Sequence, residues 1–240
     1  MGSCVSNRIV ALLGSTELAS RTGKVEVYME YMDSGYDLSL LDGSGMLTPS
    51  NYRSLDKVLA AAGTIPIPML GHIAKSVVEA LLYLANKLHM VHRDVRPARM
   101  FLNSRGEVKL GGFWLSTRFG HQSASATESD LKLMRYYSPE RAVSSSASIK
   151  DDVWSLGISL FEMAAGKHPY SAYRSHGDLL NAIAIEPAPR LRDRDDLTPQ
   201  FHMLIAKCLT RVEERASLRQ LQVELTSCLI PAHMALILVF

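Results

Sequence analysis

The strongest pattern in the chain is an apolar stripe at helical spacing between residues 69 and 88. Apolar residues that recur at steps of three and four lie on one side of an α-helix. The members of this stripe are Leu70, Ile73, Ala74, Val77, Leu81 and Leu84. The spacing therefore predicts a long helix with one buried face.

A second long helix is predicted over residues 151–165, which are apolar nearly all round, as in a helix at the centre of a larger domain. Gly166 is expected to end this helix. Ser54 is expected to cap a shorter helix that runs through Leu55. Weaker helical patterns occupy residues 179–185, 201–209 and 218–225. The second half of the chain is therefore predicted to be mainly α.

Short strands are predicted in the first half of the chain. Residues 9–13 and 25–29 have strand-like patterns with a polar turn at residues 21–23 between them, so we expect a hairpin. Residues 103–106 are predicted to form a turn that joins two shorter strands. Residues 123–129 are rich in Ser and Ala, and we expect a mobile segment there. The shorter β segments are predicted at residues 89–91, 100–102 and 108–110.

The composition is that of an ordinary globular protein. Of the 240 residues, 47% are hydrophobic and 21% are charged, and the formal net charge is +2, which does not favour a nucleic-acid binder or a disordered tail. The three cysteines are widely spaced and match neither a disulfide framework nor a metal site, which indicates a reducing compartment and a cytoplasmic location. We expect no apolar stretch to span a bilayer, because each is too short or too interrupted.

The first six residues match the pattern for N-myristoylation of Gly2, with Cys4 placed for a second acyl group. A single myristoyl chain binds membranes only weakly. Membrane attachment is therefore expected only if Gly2 is acylated, and we favour a chance match.

A set of short motifs carries the chemistry of the chain. They are His92-Arg93-Asp94, Ser138-Pro139-Glu140, Asp152-Val153-Trp154 and Arg215. In this order they resemble the C-terminal lobe of a protein kinase. The resemblance implies an α+β fold, mainly the α-helical C-lobe with a remnant β-hairpin of the N-lobe. It also implies that Asp94 takes the position of the catalytic base and Arg96 that of the lysine that steadies the transferred phosphate.

The metal-binding positions of the family are changed. Arg99 stands where the resemblance expects an asparagine that holds magnesium, and a guanidinium has no acceptor with which to ligate a cation. Gly112 replaces the aspartate of the family's Asp-Phe-Gly triplet, and Trp114 replaces its glycine. We therefore expect no metal and no cofactor, with ATP and magnesium bound only if residual activity remains.

The chain resembles the dual-specificity MAP kinase kinases in particular. The stretches that carry this likeness are residues 27–35, 54–59, 91–97, 103–110 and 152–160. By the likeness Met29 is the gatekeeper, and Met29, Glu30 and Met32 are the hinge residues that would contact a nucleotide, if one binds.

The likeness also predicts the organisation of the chain. It gives a tail at 1–7, a partial kinase domain at 8–227 and an apolar tail at 228–240. Within the domain, residues 8–35 are remnant strands and hinge, 36–53 are an insertion and 54–227 are the C-lobe. The chain contains no G-x-G-x-x-G motif and has no room for a strand lysine before Val27. We therefore expect that another chain or isoform would have to supply the phosphate-binding loop.

The motif residues that match the family are expected to hold the fold. Glu140 and Arg215 correspond to the ion pair that joins the activation segment to the helical lobe. Asp152 is expected to accept hydrogen bonds from the backbone of the catalytic loop. The other residues to which we assign a structural role are His92, Arg93 and Phe113.

The resemblance and the changed positions together favour a pseudokinase. We expect a MAP kinase kinase-like domain that is catalytically inactive and binds a protein partner, namely a kinase or a kinase substrate of a signalling cascade. No nucleic-acid partner is expected. Two alternatives stay open: a Ser/Thr/Tyr protein kinase with residual activity that uses Asp94 and Arg96, or a decayed gene product.

Overall fold

The computed structural model describes residues 6–17, 25–30, 32, 54–119, 131–144, 148–191 and 197–228. The predicted turn at 21–23, the insertion at 36–53, the segment at 123–129 and most of both tails lie outside the described residues. Within them helices predominate and strands occur as short pairs, so the predicted α+β class is confirmed.

The strands pair in an antiparallel manner. β1 (Leu12–Glu17) pairs with β2 (Val25–Met29), β3 (Met90–Val91) with β6 (Thr117–Arg118), and β4 (Met100–Leu102) with β5 (Val108–Leu110). The first hairpin and the β4–β5 pair were both predicted. Gly106 lies in the turn between β4 and β5 with φ at 75°, a left-handed conformation that favours glycine.

The first strand begins later than predicted, at Leu12 instead of Ile9. Ile9 is buried and makes a single parallel bridge to Leu110 of β5. On either side of it, the Val10 N–H donates to the Leu110 carbonyl at 3.0 Å, and the Leu110 N–H donates to the Arg8 carbonyl at 2.9 Å. Residues 8–10 therefore belong to the β5 side of the core. The apolar pattern could not separate the two segments, because both favour extended backbone.

The described helices follow one another along the chain from Leu55 onward. They are α1 (Leu55–Ala62), α2 (Ile67–Tyr83), α3 (Leu131–Met134), α4 (Pro139–Val143), α5 (Ile149–Ala165), α6 (His176–Ile185), α7 (Pro199–Cys208) and α8 (Leu218–Cys228). All were predicted except α3 and α4, which are too short to show a period. Ser54 takes the N-cap position of α1, but its side chain makes no capping hydrogen bond.

Helix α2 begins at Ile67, two residues earlier than predicted, because a proline in the first turn of a helix needs no N–H partner. It continues as a π-helical turn (Leu84–Leu88) and ends at His89, with φ at 52°. The helix from Ile67 to Leu88 is long and apolar enough to cross a membrane, which corrects our expectation from the sequence. Two thirds of its apolar stretch is buried inside the domain, as in a core helix of a soluble protein.

Helix α5 lies at the centre of the core, where it packs against α2 and α7. A capping box fixes its start: the Asp151 N–H donates to Ser148 Oγ at 3.3 Å, and the Ser148 N–H donates to the Asp151 carboxylate at 2.7 Å. The helix ends at Gly166, with φ at 70°. A Cβ atom there would lie 2.4 Å from the Gly63 carbonyl oxygen, so glycine is required at this close approach.

Candidate functional site

The loop that contains Asp94 is anchored to the first turn of α5. The two carboxylate oxygens of Asp152 accept the backbone N–H groups of His92 and Arg93, each at 2.7 Å. Burial raises the pKa of Asp152 to about 6, although the two N–H groups favour its charged form. Arg93 has φ at 67°, so this anchor holds the loop in a conformation that few residues adopt.

His92 is a buried structural residue of this loop. Its Nδ1 accepts the Asp94 backbone N–H at 3.2 Å, which leaves Nε2 to donate to the Gly111 carbonyl at 3.1 Å. The ring meets Phe113 edge-on, with centroids 5.1 Å apart. Burial lowers the pKa of His92 to about 4, so the imidazole is neutral near pH 7.

Asp94, the predicted base position, is held between two arginines. Arg96 Nε donates to its Oδ1 and Arg99 Nε donates to its Oδ2, both at 2.6 Å. The Asp94 side chain is 1% exposed, whereas those of Arg96 and Arg99 are 13% and 27% exposed. Both oxygens of this carboxylate therefore already accept charge-assisted hydrogen bonds, which are stronger than neutral ones.

The two changed metal positions, Arg99 and Gly112, are in direct contact. Gly112 has φ at 80°, and a Cβ atom there would lie 2.4 Å from Arg99 Cδ and 2.9 Å from Arg99 Nε. Real Cβ atoms do not approach other atoms this closely. The Arg99 side chain thus occupies the space beside residue 112 that an aspartate side chain would need.

Trp114 lies in a short 3₁₀ turn (Phe113–Leu115) after Gly112. Its side chain is 65% exposed. The Trp114 ring therefore faces largely into solvent. Phe113 is half-buried, against His92.

The predicted hinge residues follow β2. Met29 ends β2 and is half-buried, and Met32 is buried. The Glu30 carboxylate forms an ion pair with Lys109 of β5 and accepts the Ala11 N–H at 3.1 Å. Burial alone would raise the pKa of Glu30, but the bonds from Lys109 and Ala11 outweigh burial and lower it. The hinge side chain is therefore tied to the strand that leads into Gly111 and Gly112.

Glu140 and Arg215 form the ion pair that the motif order predicted. Arg215 donates from both terminal nitrogens to the two Glu140 carboxylate oxygens and also donates to the carbonyls of Lys150 and Thr210. The Arg215 side chain is fully buried, and its guanidinium lies over the Trp154 ring at 5.0 Å. This pair joins α4 to α5 and to the loop before α8.

No pattern along the chain indicates the role of Arg141. This buried residue follows Glu140 in α4, where an exposed cation would have been the ordinary expectation. Its guanidinium lies 3.8 Å from the centroid of the Tyr137 ring, and its Nη1 donates to the Arg93 carbonyl at 2.8 Å. Arg141 therefore links α4 to the loop that contains Asp94.

The arrangement offers cations where the family's motif expects metal ligands. Among the residues that the structure describes, no group of three or more His, Cys, Asp or Glu side chains could hold a metal ion. The charged groups of the loop are the Asp94 carboxylate and the guanidiniums of Arg96 and Arg99 on either side of it. Chemically, this cluster can bind an anion, but it has no free carboxylate for magnesium.

The family follows from comparison with known proteins. The family model described as protein tyrosine and serine/threonine kinase matches residues 1–225. Together with the loop anchored on Asp152 and the Glu140–Arg215 pair, this match establishes that the chain belongs to the protein kinase family.

Within that family the relatives are MAP kinase kinases. The chain is 33% identical to the mitogen-activated protein kinase kinase MST7 of Pyricularia oryzae, over 87% of this chain and 47% of that protein. It is 31% identical to the dual specificity mitogen-activated protein kinase kinase sek-1 of Caenorhabditis elegans, over 80% of this chain and 53% of that protein. It is also 31% identical to mitogen-activated protein kinase kinase 2 of Arabidopsis thaliana, over 83% of this chain and 51% of that protein. The chain is thus a MAP kinase kinase-like kinase domain that spans about half the length of these relatives.

Proposed function

We propose that this MAP kinase kinase-like domain is a pseudokinase, catalytically inactive, that acts by binding a kinase or a kinase substrate of a phosphorylation cascade. The observation that carries the proposal is the clamp on Asp94, whose two oxygens are each held at 2.6 Å by an arginine. The Asp94 side chain is also only 1% exposed, so a substrate hydroxyl that approached it would meet the two guanidiniums.

The second support is the loss of metal chemistry at the same place. Kinases hold two magnesium ions through an asparagine and an aspartate, and these ions neutralise the charge that develops on the transferred phosphate. Here the corresponding positions are Arg99 and Gly112, and the Arg99 stem lies where the aspartate side chain would stand. Both changed positions lie within residues 94–112, all of which the structure describes.

The binding role rests on what the domain keeps. Four residues join the helical elements, and each makes a hydrogen bond from one element of the domain to another; they are Asp152, Glu140, Arg141 and Arg215. The relatives are named mitogen-activated protein kinase kinases, that is, kinases of a phosphorylation cascade. A protein partner from such a cascade is therefore part of the proposal. A cytoplasmic location is also part of it, on the cysteine pattern of the sequence.

The test of inactivity is ATP turnover by the purified 240-residue chain in the presence of magnesium. The matched control is Asp94→Asn, which removes the base and keeps the shape of the side chain. We expect the two proteins to give the same background rate. Turnover that exceeds the background and disappears in Asp94→Asn would establish residual kinase activity instead.

A reversal experiment locates the defect. The double variant Arg99→Asn with Gly112→Asp restores both metal ligands and removes the overlap between them. A gain of magnesium-dependent turnover would show that these two positions block catalysis, whereas no gain would show that the phosphate-binding loop of the family is also needed. The binding role is tested separately, by sedimentation of the chain with purified cascade kinases and their substrates.

A further inference from the structure

We propose that Arg96 and Arg99 form a binding site for a phosphate group that works without a divalent cation. The inference rests on the proposed function, because it concerns the same loop once phosphate transfer is lost. A guanidinium binds phosphate oxygens through two parallel N–H donors, which a metal ligand such as asparagine cannot do.

The two arginines have donors to spare. Each is bonded to Asp94 through Nε alone, and no hydrogen bond from the terminal Nη groups of either residue is found within the described part of the chain. A guanidinium carries five N–H donors, one on Nε and four on the two Nη atoms. The Nη donors of both arginines therefore remain available to a ligand. Because the side chains of Arg96 and Arg99 are 13% and 27% exposed, a ligand from solution can reach them.

The charges around the loop leave an excess of positive charge at Arg99. One carboxylate, that of Asp94, pairs with two guanidiniums, and Arg96 also interacts with Glu162. Arg99 interacts with His92, which is buried and neutral. Within the described part of the chain, Asp94 is the acidic side chain that pairs with Arg99, and a partly buried cation that shares its counter-charge favours an anion supplied by a ligand.

Arg99 is also held in place before any ligand arrives. Its backbone N–H donates to the Arg96 carbonyl at 2.8 Å, and its carbonyl accepts the Gly111 N–H at 2.9 Å. The stem of the side chain packs where a Cβ atom of residue 112 would lie. A binding group that is already fixed loses little conformational entropy on binding, which raises affinity.

The same geometry predicts how magnesium acts. In a kinase the metal joins the nucleotide phosphates to the protein's oxygen ligands. Here a magnesium ion on the phosphates would meet the Arg99 guanidinium and would neutralise the charge that the arginine binds. Magnesium is therefore expected to weaken binding instead of supporting it.

The probes are ATP, adenosine and inorganic phosphate, titrated calorimetrically into the 240-residue chain with EDTA present. We expect ATP to bind, adenosine to bind much more weakly, and magnesium to lower the ATP affinity. If inorganic phosphate displaces ATP, free phosphate is a second occupant of the site. If it does not, the nucleotide is the occupant.

The variant that tests the site is Arg99→Gln, which removes the charge and keeps polar length. It is expected to weaken ATP binding in EDTA by about tenfold, the effect of losing one or two charge-assisted hydrogen bonds. Arg105→Gln is the matched control, because Arg105 is an exposed arginine on the β4–β5 turn, paired with Glu107. If Arg99→Gln does not fold, Arg99→Lys replaces it, since lysine keeps the charge and loses the planar fork.

Three results would overturn the inference: no ATP binding in EDTA, binding that magnesium strengthens, or equal effects of Arg99→Gln and Arg105→Gln. Absence of binding together with absence of turnover would remove this inference and leave the inactive domain as proposed. Magnesium-dependent turnover would remove the proposed function itself.

Discussion

The contact between Arg99 and Gly112 makes a quantitative prediction for Gly112→Ala. The new methyl group would lie 2.4 Å from Arg99 Cδ, and the residue would keep φ at 80°. The left-handed conformation costs a non-glycine residue about 1–2 kcal/mol. Overpacking against a fixed neighbour costs about 1–3 kcal/mol more. We therefore expect Gly112→Ala to lower the free energy of unfolding by about 2–5 kcal/mol.

The matched control is Gly112→Ala in a chain that also carries Arg99→Ala, because the backbone position, with φ at 80° and ψ at 53°, is then the same. The difference between the two backgrounds isolates the overlap with Arg99, which we expect to be about 1–3 kcal/mol.

The assay is urea unfolding followed by far-ultraviolet circular dichroism, which reports the helices and not the neighbouring Trp114. The wild type, Gly112→Ala, Arg99→Ala and the double variant form a double-mutant cycle. Because Arg99→Ala removes the stem that the methyl group would meet, Gly112→Ala should cost only its backbone term in that background. The expected coupling free energy is about 1–3 kcal/mol.

Two results would refute the reasoning. In the first, Gly112→Ala destabilises the protein by no more than the backbone cost of about 1–2 kcal/mol. In the second, Gly112→Ala is equally costly with and without the Arg99 side chain. Either result would mean that the two changed positions are independent, and the case for a coupled loss of metal binding would fail.

Two further predictions concern stability. Arg215→Met leaves Glu140 without its buried partner and should lower the free energy of unfolding by about 3–5 kcal/mol in urea titrations. The same change at exposed Arg211 should alter it by less than about 0.5 kcal/mol. A loss below about 1 kcal/mol for Arg215→Met would contradict the importance of the Glu140–Arg215 pair. Burial lowers the pKa of His168 to about 3, so between pH 3 and 6.5 the unfolded chain binds a proton that the folded chain does not, and stability rises with pH across this window. His168→Gln removes this proton difference and should therefore reduce the slope of unfolding free energy against pH by about 1.4 kcal/mol per pH unit. His176→Gln, at an exposed histidine, is the control. Equal slopes in the two variants would disprove the assignment.

The long helices were predictable because their patterns are strong and local. Helix α2 carries apolar residues at helical spacing over more than four turns, and α5 is apolar nearly all round and ends at Gly166, as the sequence predicted. The predicted start of the first strand, Ile9, was wrong. The apolar run that begins there favours extended backbone, but it does not specify the strand with which the backbone pairs. The choice between pairing with β2 and with β5 depends on residues more than a hundred positions away.

The site was predictable as a set of positions but not as an arrangement. The motif order indicates four positions of the site and implies two separate losses of a metal ligand among them; the positions are Asp94, Arg96, Arg99 and Gly112. The structure shows that Arg99 closes over Asp94 and fills the space at Gly112. Arg141 was missed entirely, because an arginine in a short helix carries no sign in the sequence that it is buried against Tyr137.

The amino-acid sequence alone indicates the kinase family, the order of the longer helices and the absence of carboxylate and amide side chains at positions 112 and 99. These are properties of residue identity and of spacing along the chain. That the two changed positions form one unit follows from the three-dimensional fold. The reason is the register of the β4–β5 pair, which sets Met100 opposite Leu110 and so brings Arg99 beside Gly111 and Gly112. Which side chains share one space depends on how the backbone folds back on itself, and a pattern along the chain does not contain that information.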